Sequence, residues 1–106
     1  MDYSVSIARQ PSAAMQLALY RIVQESLTNV LRHAQATRAH VELAQDDAGI
    51  RLAISDNGAG AAAARSDAGN GILGMTERAE LLGGTLTAGN RRDGGFQVTV
   101  LLPEVP

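Results

Sequence analysis

Hydrophobic and polar residues change their spacing several times along the chain, and each change predicts an element. Tyr3, Val5 and Ile7 alternate with polar neighbours, which predicts a short strand broken by Gln10-Pro11-Ser12. From Ala13 to His33 the spacing turns helical. Leu19, Ile22, Val23, Leu27, Val30 and Leu31 fall on one stripe, and Ser12 stands at the N-cap position. His40 to Ala44 carries Val41 and Leu43 on one face; Ile50, Leu52 and Ile54 then alternate with Arg51, Ala53 and Ser55. These read as a hairpin joined at Gln45–Gly49. Asp56-Asn57-Gly58-Ala59-Gly60 stops its second strand. Ala61 to Asn70 is rich in alanine and carries no strand pattern, so it reads as a short mobile loop with room for a helical turn. Ile72, Met75, Ala79 and Leu82 recur at helical spacing and predict a helix from Gly71 to Leu82, stopped by Gly83-Gly84. Thr85–Ala88 and Gln97–Leu102 are the last predicted strands, joined through the turn-rich Gly89–Gly95.

The predicted order is β-α-β-β-loop-α-β-β. Strands arrive mostly as hairpins, and both helices have to cover the same sheet. The expected fold class is therefore α+β: a two-layer α/β sandwich whose mixed, mainly antiparallel sheet is covered on one face by helices. With 106 residues, the chain is one domain's worth, read as a single domain over 1–106.

Composition narrows the chemistry. Aromatic residues are 3% of the chain, so the core has to come from Leu, Ile, Val and Ala. The absence of Cys excludes a disulfide framework, a thiolate metal site and a cysteine nucleophile. His33 and His40 are too few for a histidine zinc site without carboxylates. No apolar run approaches the ~20 residues of a membrane span, and Met1-Asp2-Tyr3-Ser4 lacks the pattern of a signal peptide. The net charge is -2 and no basic block occurs, which argues against duplex nucleic acid as a partner. An intracellular soluble domain is the expectation.

Three patterns can carry chemistry. On the long helix, Glu25, Asn29 and His33 are spaced i, i+4, i+8 on one stripe, with Arg32 beside them. Such a row suits Mg²⁺ and phosphate, because Mg²⁺ takes hard oxygens and keeps several waters. Taken alone, the row reads first as a solvated helix face, which always carries such residues. Asp56-Asn57-Gly58-Ala59-Gly60 follows a strand, where the carboxylate can accept from an exocyclic amine and glycines let backbone approach a flat ligand. Taken alone, it is also turn chemistry. Gly69-Asn70-Gly71-Ile72-Leu73-Gly74 opens the second predicted helix, where orphan N–H groups and the dipole favour phosphate. It also spells G-x-G-x-x-G, but no strand precedes it and a hairpin follows the helix, which argues against a dinucleotide-binding βαβ unit.

As an ordered set the three resemble the ATP-binding domain of sensor histidine kinases, within the gyrase, Hsp90, histidine kinase and MutL superfamily (the Bergerat fold). The resemblance runs from about Val5 to Pro103. Leu19-Tyr20-Arg21-Ile22-Val23-Gln24-Glu25-Ser26-Leu27-Thr28-Asn29-Val30-Leu31-Arg32-His33-Ala34 is similar to the family's N box. Its wording is that of the subfamily related to nitrate/nitrite sensors, whose partners are response regulators of the LuxR type. Gly71-Ile72-Leu73-Gly74-Met75-Thr76-Glu77-Arg78-Ala79 resembles that subfamily's second glycine box.

The resemblance implies roles. Asn29 would ligate the Mg²⁺ that bridges the ATP phosphates, and Glu25 would assist phosphoryl transfer as the catalytic carboxylate. Arg32 and His33 would lie near the phosphates. Asp56 would accept the adenine amino proton, with Gly58 and Gly60 lining the adenine pocket. Ala61–Asn70 would be the ATP lid; Gly69, Gly71 and Gly74 would hold its hinge and the phosphates, with Ile72 among the cofactor-binding positions. The family commonly has a Gly-Thr pair entering the last strand, whereas here Gly95 is followed by Phe96. Neither His33 nor His40 fits a phosphoacceptor, which the family carries on a separate dimerising helical module. The resemblance thus implies a catalytic domain of a longer kinase, a kind of parent that can be membrane-anchored, acting in the cytoplasm without membrane contact of its own. A stand-alone anti-sigma-factor-type serine kinase on the same fold, and a nucleotide-free partner-binding module, are the alternatives.

Overall fold

Five strands form one mixed sheet: β1 (Asp2–Ser6), β2 (Ala39–Gln45), β3 (Gly49–Asp56), β4 (Thr85–Asn90) and β5 (Phe96–Pro103), ordered β1-β2-β3-β5-β4. The helices are α1 (Ala13–Asn29), between β1 and β2, and α2 (Ala61–Leu81), between β3 and β4. This computed structural model describes residues 2–31, 37–58, 61–92 and 94–104, and of residues 61–70 the backbone alone. β1 runs parallel to β2, and the other pairs are antiparallel. The expected two-layer, mainly antiparallel architecture is what forms.

Strand alternation builds the core. Ile50, Leu52 and Ile54 of β3 stand opposite Leu102, Val100 and Val98 of β5. All six are buried with Met15, Leu19 and Ile22 of α1 and Met75 and Ala79 of α2. The other face carries polar residues such as Glu42 and Arg51, an exposed pair at 3.3 Å worth at most about 1 kcal/mol. Ser12 caps α1 as its position predicts, its Oγ accepting from the Met15 N–H at 3.2 Å. α2 ends where Gly83-Gly84 predicts: Gly83, at φ +78°, donates to Glu80 (3.0 Å) and Gly84 to Ala79 (2.9 Å). That pairing satisfies the last carbonyls in a Schellman arrangement.

Three expectations change. The apolar spacing of α1 runs through Leu31, but the helix ends at Asn29 and Leu31 is 87% exposed. The inward row is Met15, Ala18, Leu19, Ile22 and Ser26. The alternation in β1 finds the strand but not a buried face. α1 packs on β3, and α2 on β4 and β5, so edge strand β1 is exposed throughout. Most consequential, Ala61–Asn70 is helical backbone continuous with the predicted helix, so α2 starts at Ala61 and not at Gly71. The physical reason is propensity. Ala61 to Ala64 is a run of the best helix former, and the glycines behind it cost only about 1 kcal/mol each.

Both helices are anchored at the end of the sheet where β5 finishes. Ser12 and Met15 line a cavity there with Asp47, Pro103 and Glu104, and Gly84 abuts the Leu101 carbonyl. α1 leaves that end and α2 returns to it. The C-terminal half of α1 and the middle of α2 are thereby carried toward the end where β3 finishes, at Asp56. Among the described residues no helix is long and apolar enough to cross a membrane.

Candidate functional site

Asp56 takes the next inward position after Ile54, at the last residue of β3. The register that buries three aliphatic side chains therefore buries a carboxylate: Asp56 is 5% exposed. A charge in that position needs partners. Its Oδ1 accepts the Gly58 N–H at 2.7 Å, a short charge-assisted bond that folds the chain back at the strand end. Among the described residues Oδ2 makes no hydrogen bond, which leaves it open to a donor from a ligand. Phe96 pairs with Asp56 across β5 and packs against the core, so its ring flanks the carboxylate on the same face. An apolar ring thus stands where the family pattern has threonine.

The backbone around Asp56 is held from two sides. Asn57 Oδ1 accepts from the N–H groups of Thr37 (3.0 Å) and Arg38 (2.8 Å), while its Nδ2 donates to Thr37 Oγ1 at 2.8 Å. On the other side, Gly95 is buried at φ +91°, and a Cβ there would run into the Asp56 carbonyl oxygen. Neither Asn57 nor Gly95 was singled out from sequence. The signal for Gly95 was the Gly94-Gly95 pair entering a strand. For Asn57 nothing distinguishes a structural amide from an ordinary turn residue.

The second group sits on the facing helices. Glu25 and Asn29 are partly buried on α1, one turn apart. Glu25 lies against Gly71 of α2, so closely that a Cβ at 71 would overlap its Oε1. Next to it, the Ser26 hydroxyl donates to Met75 Sδ at 3.3 Å inside the helix–helix interface, fixing the rotation of α1 against α2. Among the described residues the Asn29 amide makes no hydrogen bond, so its carbonyl oxygen is a hard donor available to a cation. No group of three or more His, Asp or Glu there makes a metal cage. The donor set fits Mg²⁺ bound chiefly by phosphate oxygens and water, with one amide oxygen from the protein.

Of the predicted site residues, the structure brings Glu25 to Gly71 and Asp56 to Gly58, with Ile72 packed against the core and Gly74 on the exposed side of α2. No side-chain hydrogen bond joins the Glu25 group to the Asp56 group among the described residues. Gly69 lies within the backbone of α2. Arg32, His33 and Gly60 lie outside the described residues. The glycine run falls inside α2 and not at its first turn, so the orphan N–H groups of that helix are not at Gly71.

A model of the family described as histidine kinase-, DNA gyrase B-, and HSP90-like ATPase matches residues 14–106. The chain is 37% identical over 93 residues to the signal transduction histidine-protein kinase/phosphatase UhpB of Salmonella typhimurium, covering 88% of this chain and 18% of that protein. It is 36% identical over 107 residues to the nitrate/nitrite sensor protein NarX of Escherichia coli, covering 98% of this chain and 18% of that protein. The chain thus spans about a fifth of the length of these relatives. Among solved structures, the ATP binding domain of PrrB from Mycobacterium tuberculosis superposes with a TM-score of 0.66 at 24% identity, covering 100% of this chain and 82% of that chain. The histidine kinase domain of a blue-light activated histidine kinase from Erythrobacter litoralis gives a TM-score of 0.70 at 23% identity, over 96% of this chain and 53% of that one. At these identities the two structures speak for the fold.

Proposed function

Because this chain belongs to the family of histidine kinase-, DNA gyrase B- and HSP90-like ATPases, we propose that it is the cytoplasmic, ATP-binding catalytic segment of a longer sensor histidine kinase. The observation that carries this is the placement of Asp56. A carboxylate in an inward register position, with one oxygen bonded to Gly58 and the other making no hydrogen bond among the described residues, is a costly arrangement that core packing alone does not require. It is suited to a donor such as the exocyclic amine of adenine. Phe96 beside it supplies an apolar wall for the flat base.

In this reading the phosphates lie toward Asn29 of α1; the roles of Arg32 and His33 toward the phosphates, of Gly60 toward adenine and of Gly69 toward the lid are those the family resemblance assigns. The Asn29 oxygen would hold Mg²⁺ together with oxygens of the nucleotide, and the metal would supply neutralisation of phosphate charge. The acceptor is a histidine on a separate dimerising module. As it attacks in line, the bond between the γ-phosphorus and the β-bridging oxygen breaks and a phosphorus–nitrogen bond forms; the imidazole proton passes to Glu25. Glu25 is held for that task by its seat against Gly71. Most of the rate comes from positioning. The phosphoryl group then passes to a response regulator, of the LuxR type by the subfamily wording.

Calorimetric titration with a non-hydrolysable ATP analogue, with and without Mg²⁺ and with the GTP analogue as control, tests the reading. Adenine-selective binding strengthened by Mg²⁺ is expected. No binding at millimolar ligand overturns it and favours a partner-binding module without nucleotide.

A further inference from the structure

β1 is held to the sheet along one edge. It pairs with β2 alone, all five of its residues are exposed, and the helices pack on β3, β4 and β5. Among the described residues no side-chain hydrogen bond or ion pair reaches it. A segment with few buried contacts and exposed backbone bonds opens at low cost. Where the chain leaves β1 the situation reverses. Gln45, the last residue of β2, grips the connection to α1 with its side-chain amide. Its Oε1 accepts the N–H groups of Ala8 (2.8 Å) and Arg9 (2.7 Å), and its Nε2 donates to the Arg9 carbonyl (3.0 Å) and to Glu104 Oε1 (2.8 Å). Both amide hydrogens and both lone pairs are thereby used. Glu104 is itself anchored: its N–H donates to the Ala48 carbonyl (3.3 Å), and its Oε1 accepts from the Arg9 guanidinium (3.4 Å). Two residues further on, the first turn of α1 takes over, with Gln16 Nε2 donating to the Pro11 carbonyl (2.7 Å) and the Gln16 N–H to the Ser12 carbonyl (2.9 Å). Hydrogen bonds hold this connection more than packing does, since a cavity of 690 Å³ lies beside it, lined by Arg9, Gln10 and Ser12 among others.

We propose that β1 is a separable edge strand and that the Gln45 amide is the clasp at which its release stops, so that α1 keeps its place while β1 leaves the sheet. A strand joined to a helix by free chain would pull on the first turn of that helix as it moved. Here the displacement has to break the bonds that one side chain makes to Ala8 and Arg9 before it reaches Pro11. The consequence for nucleotide binding rests on the kinase reading above: α1 carries Glu25 and Asn29, and the clasp insulates them from the motion of β1.

Amide hydrogen exchange tests the clasp. In the unaltered chain, the β1 amides that bond to β2 should exchange about 100-fold or more faster than those of β3 and β5. Gln45→Ala should speed exchange at Ala8 and Arg9, and along α1 from Gln16 to Tyr20, by about tenfold. Gln45→Glu sets a carboxylate without a donor against Glu104 and should act like Gln45→Ala. Adding Glu104→Gln rebuilds that bond with its direction reversed and should recover part of the protection. Ser4→Pro/Val5→Pro then loosens β1 whichever way its N–H groups alternate. With Gln45 in place the pair should leave ATP-analogue affinity within about twofold; in the Gln45→Ala chain it should lower it by about fivefold or more. Equal exchange in β1, β3 and β5 overturns the proposal, as does the same effect of the prolines in both backgrounds. If the proline chain does not fold, exchange in the Gln45 variants decides alone, and α1 rates unmoved by Gln45→Ala overturn it. If the unaltered chain fails to bind the ATP analogue, the kinase reading falls, and exchange still decides the clasp.

Discussion

The carboxyl group of Glu25 occupies the space in which a side chain at position 71 would begin. A Cβ on Gly71 would overlap Oε1 and stand 3.1 Å from Cδ and 3.3 Å from Cγ. The neighbour is the far end of a flexible side chain, so Gly71→Ala should fold, with Glu25 displaced. In a helix interior that substitution is worth about 1 kcal/mol of added stability; in the unaltered chain the displacement of Glu25 offsets it. In a Glu25→Ala background nothing does. Urea denaturation should therefore show Gly71→Ala as nearly neutral alone and stabilising by about 1 kcal/mol in the Glu25→Ala chain. The same effect in both backgrounds would mean that the contact imposes no constraint.

Asp56→Asn separates binding from folding. Asparagine keeps an oxygen to accept the Gly58 N–H, now at 2.7 Å from Oδ1, so stability should fall by less than about 1 kcal/mol. The amide nitrogen, however, turns a donor toward the adenine amine. Calorimetry should show the ATP analogue weakened by about 10- to 100-fold, or roughly 1.5–3 kcal/mol. A chain that loses stability and affinity in proportion would show Asp56 to be structural.

Much of the candidate site is legible in the sequence because the residues proposed for it break a local pattern. Asp56 continues the alternation of Ile50, Leu52 and Ile54 with a charge, and Glu25 and Asn29 share a stripe beside an apolar face. The strands were legible for the same reason, since alternation over β3 and β5 matches their buried faces. What escaped depended on contacts distant in sequence. Leu31 looks like a core residue until the helix end at Asn29 is known. Tyr3 and Val5 alternate correctly but lie at a sheet edge that neither helix covers. Ser26, a polar residue in the inward row, is explained only by Met75, 49 positions later. The start of α2 was missed because the glycines that suggested a boundary are outweighed by the alanines before them.

Asn29→Ala tests the metal. The Asn29 amide is the one hard oxygen assigned to Mg²⁺, and among the described residues it makes no hydrogen bond, so its loss should cost the fold little. The prediction is a residual affinity for the ATP analogue that no longer responds to Mg²⁺, where the unaltered chain responds by about tenfold or more. The readout is the calorimetric dissociation constant at zero and saturating Mg²⁺. An unchanged response would place the metal on other groups.

Gly95 and Gly94 differ in what surrounds them, although both have positive φ, +91° and +97°. A Cβ on Gly94 meets nothing within 4 Å, so Gly94→Ala isolates the backbone penalty of roughly 1–2 kcal/mol. A Cβ on Gly95 overlaps the Asp56 carbonyl oxygen and lies 2.8 Å from Asp56 C and 3.0 Å from Asn57 Cα. These are backbone atoms at the end of a paired strand and cannot swing aside. Gly95→Ala should therefore cost about 3 kcal/mol or more in urea denaturation. Because relief of the clash has to push Asp56 out of its inward position, ATP-analogue affinity should fall with it, measured below the unfolding transition. Gly94→Ala should leave that affinity intact. Equal stability losses at the two positions would mean that the strand end yields, and that Asp56 is held by its bond to Gly58 and not by the close approach of Gly95.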